Sequence, residues 1–276
     1  MSTAVDLLGS DTNFTAMHGI APERQAFGSV NLGDDSKKSI DFISDLHLQA
    51  SEPATFNAWQ RYMQNTPADA VFILGDLFEV WVGDDLLDQR GFERQCAQVI
   101  KQNAARMPVF FMHGNRDFLV GPGMMTACNT TLLSDPTVLS FNHQRWLLSH
   151  GDSLCLDDVG YMQFRQQVRS ADWQQAFLAK PLAERQGIAR QLRQKSEARK
   201  SSGADDADVD ENMARQWLQL AKCSTLIHGH THKPATHDLS DDRHRVVLSD
   251  WDAAAAVPRA EVLRLSAQGL ERIRCV

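Results

Sequence analysis

The 276 residues carry 28 Lys and Arg against 35 Asp and Glu, a formal net charge of −7, with 43% apolar and 23% charged side chains. That balance is ordinary for a globular protein and disfavours broad electrostatic capture of nucleic acid, leaving room only for a local basic patch. No run approaches the roughly 20 apolar residues of a bilayer-spanning helix, and the five scattered cysteines, without a C-x-x-C pair, indicate neither a disulfide framework nor a thiolate zinc site and suit a reducing cytoplasm.

Residues 1–38 are rich in Gly, Ser, Thr, Asn and Asp without sustained periodicity, which predicts a disordered extension. From Ser39 short β-type runs recur: "SIDFIS", "AVFIL", "PVFFM", "TVLSF", "RWLLS", "STLIH" and "RVVLS". Helical stretches at Ala54–Gln64 and Phe92–Arg106 separate the first three, so the fold class is α/β. The paired runs from Thr137 to Ser149 predict an added antiparallel hairpin turning at "NHQ". From Cys155 to Asn212 the β signal vanishes and an amphipathic helical pattern carries Phe164, Trp173, Phe177, Leu178, Leu182, Ile188 and Leu192. The acidic run "SSGADDADVDEN" closes it as a connector. The organisation expected is a core of 39–154 and 213–276 with a helical cap, 155–212, inserted into it. The alternative is that these helices continue the core.

Five segments end or closely follow an apolar run with metal-type side chains: "SDLH" (Asp45, His47), "GDLFE" (Asp76, Glu79), "GNRD" (Asn115, Arg116, Asp117), "SHGD" (His150, Asp152) and "HGHTH" (His228, His230, His232). In open α/β sheets, groups beyond the carboxyl ends of strands converge on one crevice. Carboxylate, imidazole and amide oxygen together suit Mn²⁺, Fe²⁺ or Zn²⁺. Each segment alone is weak, since a lone His is more often packed than ligating, but five in series at strand ends are not a chance pattern. "GDD" at Gly83–Asp85 reads instead as a turn or a helix start stabilised by Asp.

D-x-H, G-D, G-N, H-G and G-H-x-H in this order resemble the calcineurin-like metallophosphoesterases, over about residues 40–250. The resemblance implies a four-layer αββα sandwich and two metals about 3.5–4 Å apart that generate hydroxide from water near neutral pH and clamp phosphoryl oxygens. Carried over by position, one metal takes Asp45, His47, Asp76 and His232, and the other takes Asp76, Asn115, His150 and His230. His228 lies outside the match and, with Glu79 and Asp117, is expected to orient ligands, although its spacing alone also allows it as a ligand. If the protein were instead a metal-free scaffold of this fold, ligands would be missing; all seven positions hold competent side chains.

Most of that superfamily carries His after the G-N, able to protonate a leaving alkoxide, whereas this chain has Arg116, which stays charged and cannot. Arginine still binds phosphate bidentately, so the swap suits a leaving group that needs no proton. A phosphate qualifies, its second pKa lying near about 6. The expected reaction is therefore cleavage of a P–O–P anhydride, with Asp76, Asn115, Arg116 and His150 as the catalytic set.

"FISDLHL", "ILGDLFEVWVGDD", "HGNRDFL", "HGDSLCLDDVGYMQFR" and "LIHGHTHKPATH" are similar to the UDP-2,3-diacylglucosamine diphosphatase family of the lipid A pathway. That resemblance implies two Mn²⁺ ions, attack at the α-phosphate giving UMP and 2,3-diacylglucosamine 1-phosphate, and peripheral attachment to the cytoplasmic face of the inner membrane. It implies substrate contacts at Asn115, Arg116, Asp158, Ser196, Lys200 and His230, with Tyr161 a further candidate. The family's last Lys falls at Gly203, so Arg199 or Lys200 would compensate. A basic stretch of Lys180, Arg185, Arg190, Arg193, Lys195, Arg199 and Lys200 suits a nucleotide diphosphate or an anionic membrane surface. The runner-up is a metallophosphoesterase acting on a soluble nucleotide or sugar nucleotide.

Overall fold

The computed structural model describes residues 26–33, 38–201 and 208–276, with the backbone alone over 195–201. Four strands whose residues are almost all apolar, β2 (Ser39–Ile43), β3 (Val71–Leu74), β4 (Val109–Met112) and β5 (Thr131–Leu133), pair in parallel. Continuous apolar runs are what a parallel sheet covered on both faces requires. β11 (Glu261–Ser266) adds antiparallel to β2, and β12 (Gly269–Arg274) antiparallel to β11.

The second sheet runs β1 (Gly28–Asn31), β6 (Thr137–Phe141), β7 (Gln144–Leu148), β8 (Thr225–His228), β10 (His244–Val247) and β9 (Thr236–Asp238). β6 and β7 form the expected hairpin, with Asn142 and His143 both at positive φ (49° and 58°), as a two-residue primed turn demands.

Alternation sorts the side chains between layers. Ile40, Phe42, Phe72 and Phe110 meet Leu139, Leu148, Ile227 and Val246 between the sheets. Val71, Ile73, Val109 and Phe111 face outward into a cluster with Trp59 of α1 (Pro53–Asn65), Ile100 of α2 (Phe92–Ala104) and Met124 of α3 (Pro122–Cys128). On the other side Val138, Leu147 and Leu226 bury Trp217 and Leu218 of α7 (Glu211–Ala221). The result is the α-β-β-α layering that the resemblance implied. Three helices, α4 (Val159–Val168), α5 (Ala171–Leu178) and α6 (Leu182–Ser201), lie in sequence between β7 and α7.

Two expectations are corrected. The extension of residues 1–38 was read as disordered, yet Gly28–Asn31 form β1, paired in parallel with Thr137–Ser140. Their composition and alternation of part-buried and exposed residues fit an edge strand. Residues 1–25 and 34–37 lie outside the described residues. The acidic connector was expected to run to Asn212, but helix α7 starts at Glu211 because the Asp210 carboxylate accepts from the Met213 N–H at 2.7 Å and caps it. Asp208 just before it is paired with Arg245 at 2.8 Å.

Candidate metal and phosphate site

Loops after β2, β3, β4, β7 and β8 carry the five segments to one place. Asp45, His47, Asp76, His230 and His232 all take left-handed backbone angles, with φ between 48° and 67°. Non-glycine residues adopt these at a cost of roughly 1–3 kcal/mol each, which persists where a site depends on it. The loops also touch closely: a Cβ on Gly114 would fall on the Asp76 carboxylate and amide, and one on Gly229 on Ser44 and Asp45.

Donor atoms of Asp45, His47 and His232 lie within 4.8 Å of one another, and so do those of Asp45, Asp76 and His150. In the first group Nε2 of His47 and Nε2 of His232 face each other at 3.2 Å, and Asp45 Oδ1 stands 3.3 Å from the latter. That Asp45 oxygen is buried without a hydrogen-bond partner among the described residues, whereas Oδ2 accepts from the His230 N–H at 2.9 Å and from the Ser44 hydroxyl. An orphaned buried carboxylate oxygen beside two imidazole nitrogens fits a divalent cation.

In the second group the Asn115 amide oxygen lies 3.0 Å from His150 Nε2 and 2.9 Å from His230 Nδ1, with Asp76 Oδ2 at 3.8 Å from His150 Nε2. The Leu74 carbonyl, 2.9 Å from His150 Nδ1, can only accept, so it fixes the proton there and leaves Nε2 for a ligand. Asp45 is common to both groups, whereas the resemblance implies Asp76 as the bridge. The charge of Asp76 nevertheless reaches both: against the lowering effect of burial, Glu79 and then Asp76 raise the proton affinity of His47 in one, and Asp76 raises that of His150 in the other.

Burial alone would lower the His150 pKa, but the carboxylates of Asp76 and Asp45 outweigh it and hold the ring up at about 9. The neighbouring His230 is driven down to about 4 by burial and by the His150 charge. Below pH 9 the metal-free His150 therefore carries a proton that an entering metal must displace. Mn²⁺ added at pH 7.5 is expected to release about one proton from this ring, with affinity falling up to about tenfold per pH unit lowered. Calorimetry in buffers of different ionisation enthalpy counts that proton.

The remaining expected residues take distinct places. Asp117 is fully buried and accepts backbone N–H groups of Leu77 and Gly114, each at 2.8 Å, so it ties two metal loops together. Burial and the Asp76 charge push its carboxyl up to about 7. Glu79 Oε2 sits 3.3 Å from His47 Nδ1 and Oε1 sits 2.7 Å from Arg193 and 3.6 Å from Arg116. His228 is fully buried and outside both donor groups; its Nδ1 meets the Gly229 carbonyl at 2.8 Å, and burial holds its pKa down to about 3. Asp158 caps α4 by accepting the Tyr161 N–H at 2.9 Å. Of "GDD", Asp84 accepts from Gly121 and Met124 N–H at the start of α3. Asp85 pairs with Arg185 of α6, whose guanidinium also donates to the Val82 carbonyl. Arg185, read as part of a basic surface, is 3% exposed and bonded to the core. The side chains of Ser196, Arg199 and Lys200, and Gly203, lie outside the described residues.

Asp152 appeared in the sequence as a metal-type residue, but it stands in neither donor group. It is fully buried and accepts from the Tyr161 hydroxyl at 2.6 Å and from Arg165 Nε at 2.8 Å. Burial would raise its pKa; the charges of Arg165, His150 and Arg169 outweigh that and hold it well below the usual carboxylate range. Arg165, Arg169 and Arg245 were not found from sequence. The "YMQFR" segment held the only signal for the first of them.

A groove of about 390 Å³ opens from the donor cluster. Asn115, Arg116, His230 and His232 line its polar end. Trp81, Phe118, Tyr161, Phe164, Trp173 and Phe177 line an apolar stretch between the core loops and the first two inserted helices. Arg116 Nε is buried there without a hydrogen-bond partner among the described residues, and its backbone N–H donates to Asp76 Oδ1 at 2.8 Å.

Comparison with known proteins agrees with this geometry. A family model described as calcineurin-like phosphoesterase matches residues 38–234. A Chromobacterium violaceum protein named UDP-2,3-diacylglucosamine hydrolase is 47% identical over 222 residues, 77% of this chain and 90% of its own. Proteins of the same name from Escherichia coli O7:K1 (43% over 217 residues, 76% and 90%) and Pseudomonas putida (39% over 239 residues, 84% and 97%) match similarly. The chain therefore belongs to the calcineurin-like phosphoesterase family, in the branch whose members bear the name UDP-2,3-diacylglucosamine hydrolase.

Proposed function

We propose that this chain hydrolyses the pyrophosphate bond of UDP-2,3-diacylglucosamine at the α-phosphate, giving UMP and 2,3-diacylglucosamine 1-phosphate in lipid A synthesis, with two Mn²⁺ ions. The observation that carries this reading is the single groove joining the donor cluster and Arg116 to an apolar wall. A diphosphate joined to acyl chains needs both ends at once. The names of the relatives support the same substrate.

Asp45, His47 and His232 would hold one ion and Asn115, His150 and His230 the other, with Asp76 between them. Ions held there would supply an acidified water for in-line attack and a clamp on phosphoryl oxygens. Arg116 is placed to neutralise charge developing on the diphosphate, its buried Nε needing an acceptor. Glu79 holds that guanidinium and the His47 ring in place. Trp81, Phe118 and the aromatic side chains of the inserted helices exclude water and receive acyl chains, so the helices act as a cap. Exposed Val80 and Leu178, together with the exposed basic Arg190, suit attachment to an anionic membrane on its cytoplasmic side.

In oxygen-18 water, label is expected in UMP; label in the lipid phosphate would place attack at the other phosphorus and overturn the assignment. UDP-sugars without acyl chains are expected to turn over far more slowly, and equal rates would favour a soluble sugar nucleotide as substrate. Arg116→His is expected to lower kcat/KM for the diphosphate on the order of 10²-fold, as for loss of one charge-stabilising donor. If the wild type cleaved simple alkyl phosphates faster than diphosphates, the anhydride reading would be wrong.

A further inference from the structure

The first inserted helix touches two of the metal loops at once. At its C-terminal end, Arg169 donates from a terminal guanidinium nitrogen to the Gly114 carbonyl at 2.8 Å. Gly114 is the residue before Asn115, and its N–H is held by Asp117. The same guanidinium lies 3.7 Å from Asp152, two residues after His150, and 5.2 Å from the Phe118 ring centre. Asp152 is anchored independently by Tyr161 and Arg165, both on α4. A buried carboxylate with these partners is rigid, and a guanidinium bound to it transmits position instead of floating in solvent.

Asn115 and His150 share one ion in the proposed site, yet they come from different sheets, on the loops after β4 and β7. Along α4, Tyr161 and Phe164 line the groove, and the Tyr161 ring lies 5.9 Å from that of His230. We propose that Arg169, braced on Asp152, is a positioning residue that sets the Asn115 loop against the His150 loop. Through it the helix that walls the substrate groove also fixes the spacing of one metal position. The other position, built from Asp45, His47 and His232, is braced by Glu79, 3.3 Å from His47 Nδ1, and should be insensitive to it.

Arg169→Gln is the informative change, because Asp152 keeps its bonds to Tyr161 and Arg165 and the helix stays seated. Two readouts are needed, since the metal part of this inference rests on the dimetal reading. In the metal-free variant, amide exchange over residues 113–117 is expected to accelerate about tenfold or more while residues 45–47 are unchanged. That outcome involves no metal; unchanged exchange at 113–117 would overturn the strut whatever the metals do. In the second readout, Mn²⁺ titration followed by electron paramagnetic resonance is expected to show one of two binding steps weakened about 10–100-fold, the usual effect of removing a ligand's supporting contact. Equal weakening of both steps, or of neither, would overturn it as well. Arg169→Lys, which keeps one donor for the Gly114 carbonyl, is expected to recover part of both effects; no recovery would mean that lost packing, and not the bond, is responsible. A wild type that binds a single ion, with faster exchange in Arg169→Gln, would keep the strut between the loops and sink the dimetal reading instead.

Discussion

Asp76→Asn is expected to lower turnover of UDP-2,3-diacylglucosamine on the order of 10³-fold or more, with little change in the fold, because the neutral amide cannot serve as an anionic ligand between two cations. The geometry explains why the fold should tolerate it. The amide oxygen can still accept the Arg116 N–H that Asp76 Oδ1 holds at 2.8 Å. The buried Asp117 carboxyl, pushed up to about 7 by burial and by the Asp76 charge, would lose that repulsion. The lost attraction of Asp76 for protonated His150 opposes that gain, so a metal-free melting temperature close to that of wild type is expected beside a nearly inactive enzyme. Turnover within tenfold of wild type would contradict the role given to Asp76.

Gly114→Ala tests the site from its backbone. A methyl there meets the Asp76 carboxylate and amide nitrogen, both fixed in place by bonds to Arg116 and Asp117. One loop must move, at roughly 1–3 kcal/mol for overpacking. Displacing ligands by even about 1 Å is expected to cost on the order of 10²-fold in turnover. Gly187→Ala is the control: on α6 an added methyl meets nothing nearer than Arg190 at 3.9 Å. Replacing a helical glycine should raise stability by about 0.5–1 kcal/mol. Chemical denaturation and steady-state kinetics on both variants separate the two effects. Full activity in Gly114→Ala would mean that the close approach of the loops is not needed.

β2, β3, β4, β7 and β8 and the loops that follow them were legible because each set of polar donors comes just after a largely apolar run. β11 and β12 were not, and their chemistry says why. Arg264 interrupts the apolar pattern of β11, and only the fold reveals that it forms a two-pronged pair with the buried Asp41, 223 residues away, at 2.7 and 2.9 Å. β1, β5 and β9 are short edge strands with too few residues to show a period. The same limit applies around the site. His150, Asn115 and His230 could be found from their own segments, but the contacts that hold the segments together could not. Asp85 to Arg185 spans 100 residues, Arg169 to Gly114 spans 55 and Arg245 to Asp208 spans 37. A buried charge announces that it needs a partner, and the sequence does not say which one.

The most direct test is diffraction at the manganese absorption edge from crystals grown with Mn²⁺. The expected result is two anomalous peaks about 3.5–4 Å apart, one beside Asp45, His47 and His232, the other beside Asn115, His150 and His230, with the Asp76 carboxylate between them. A single peak, or two peaks with Asp76 touching neither, would contradict it.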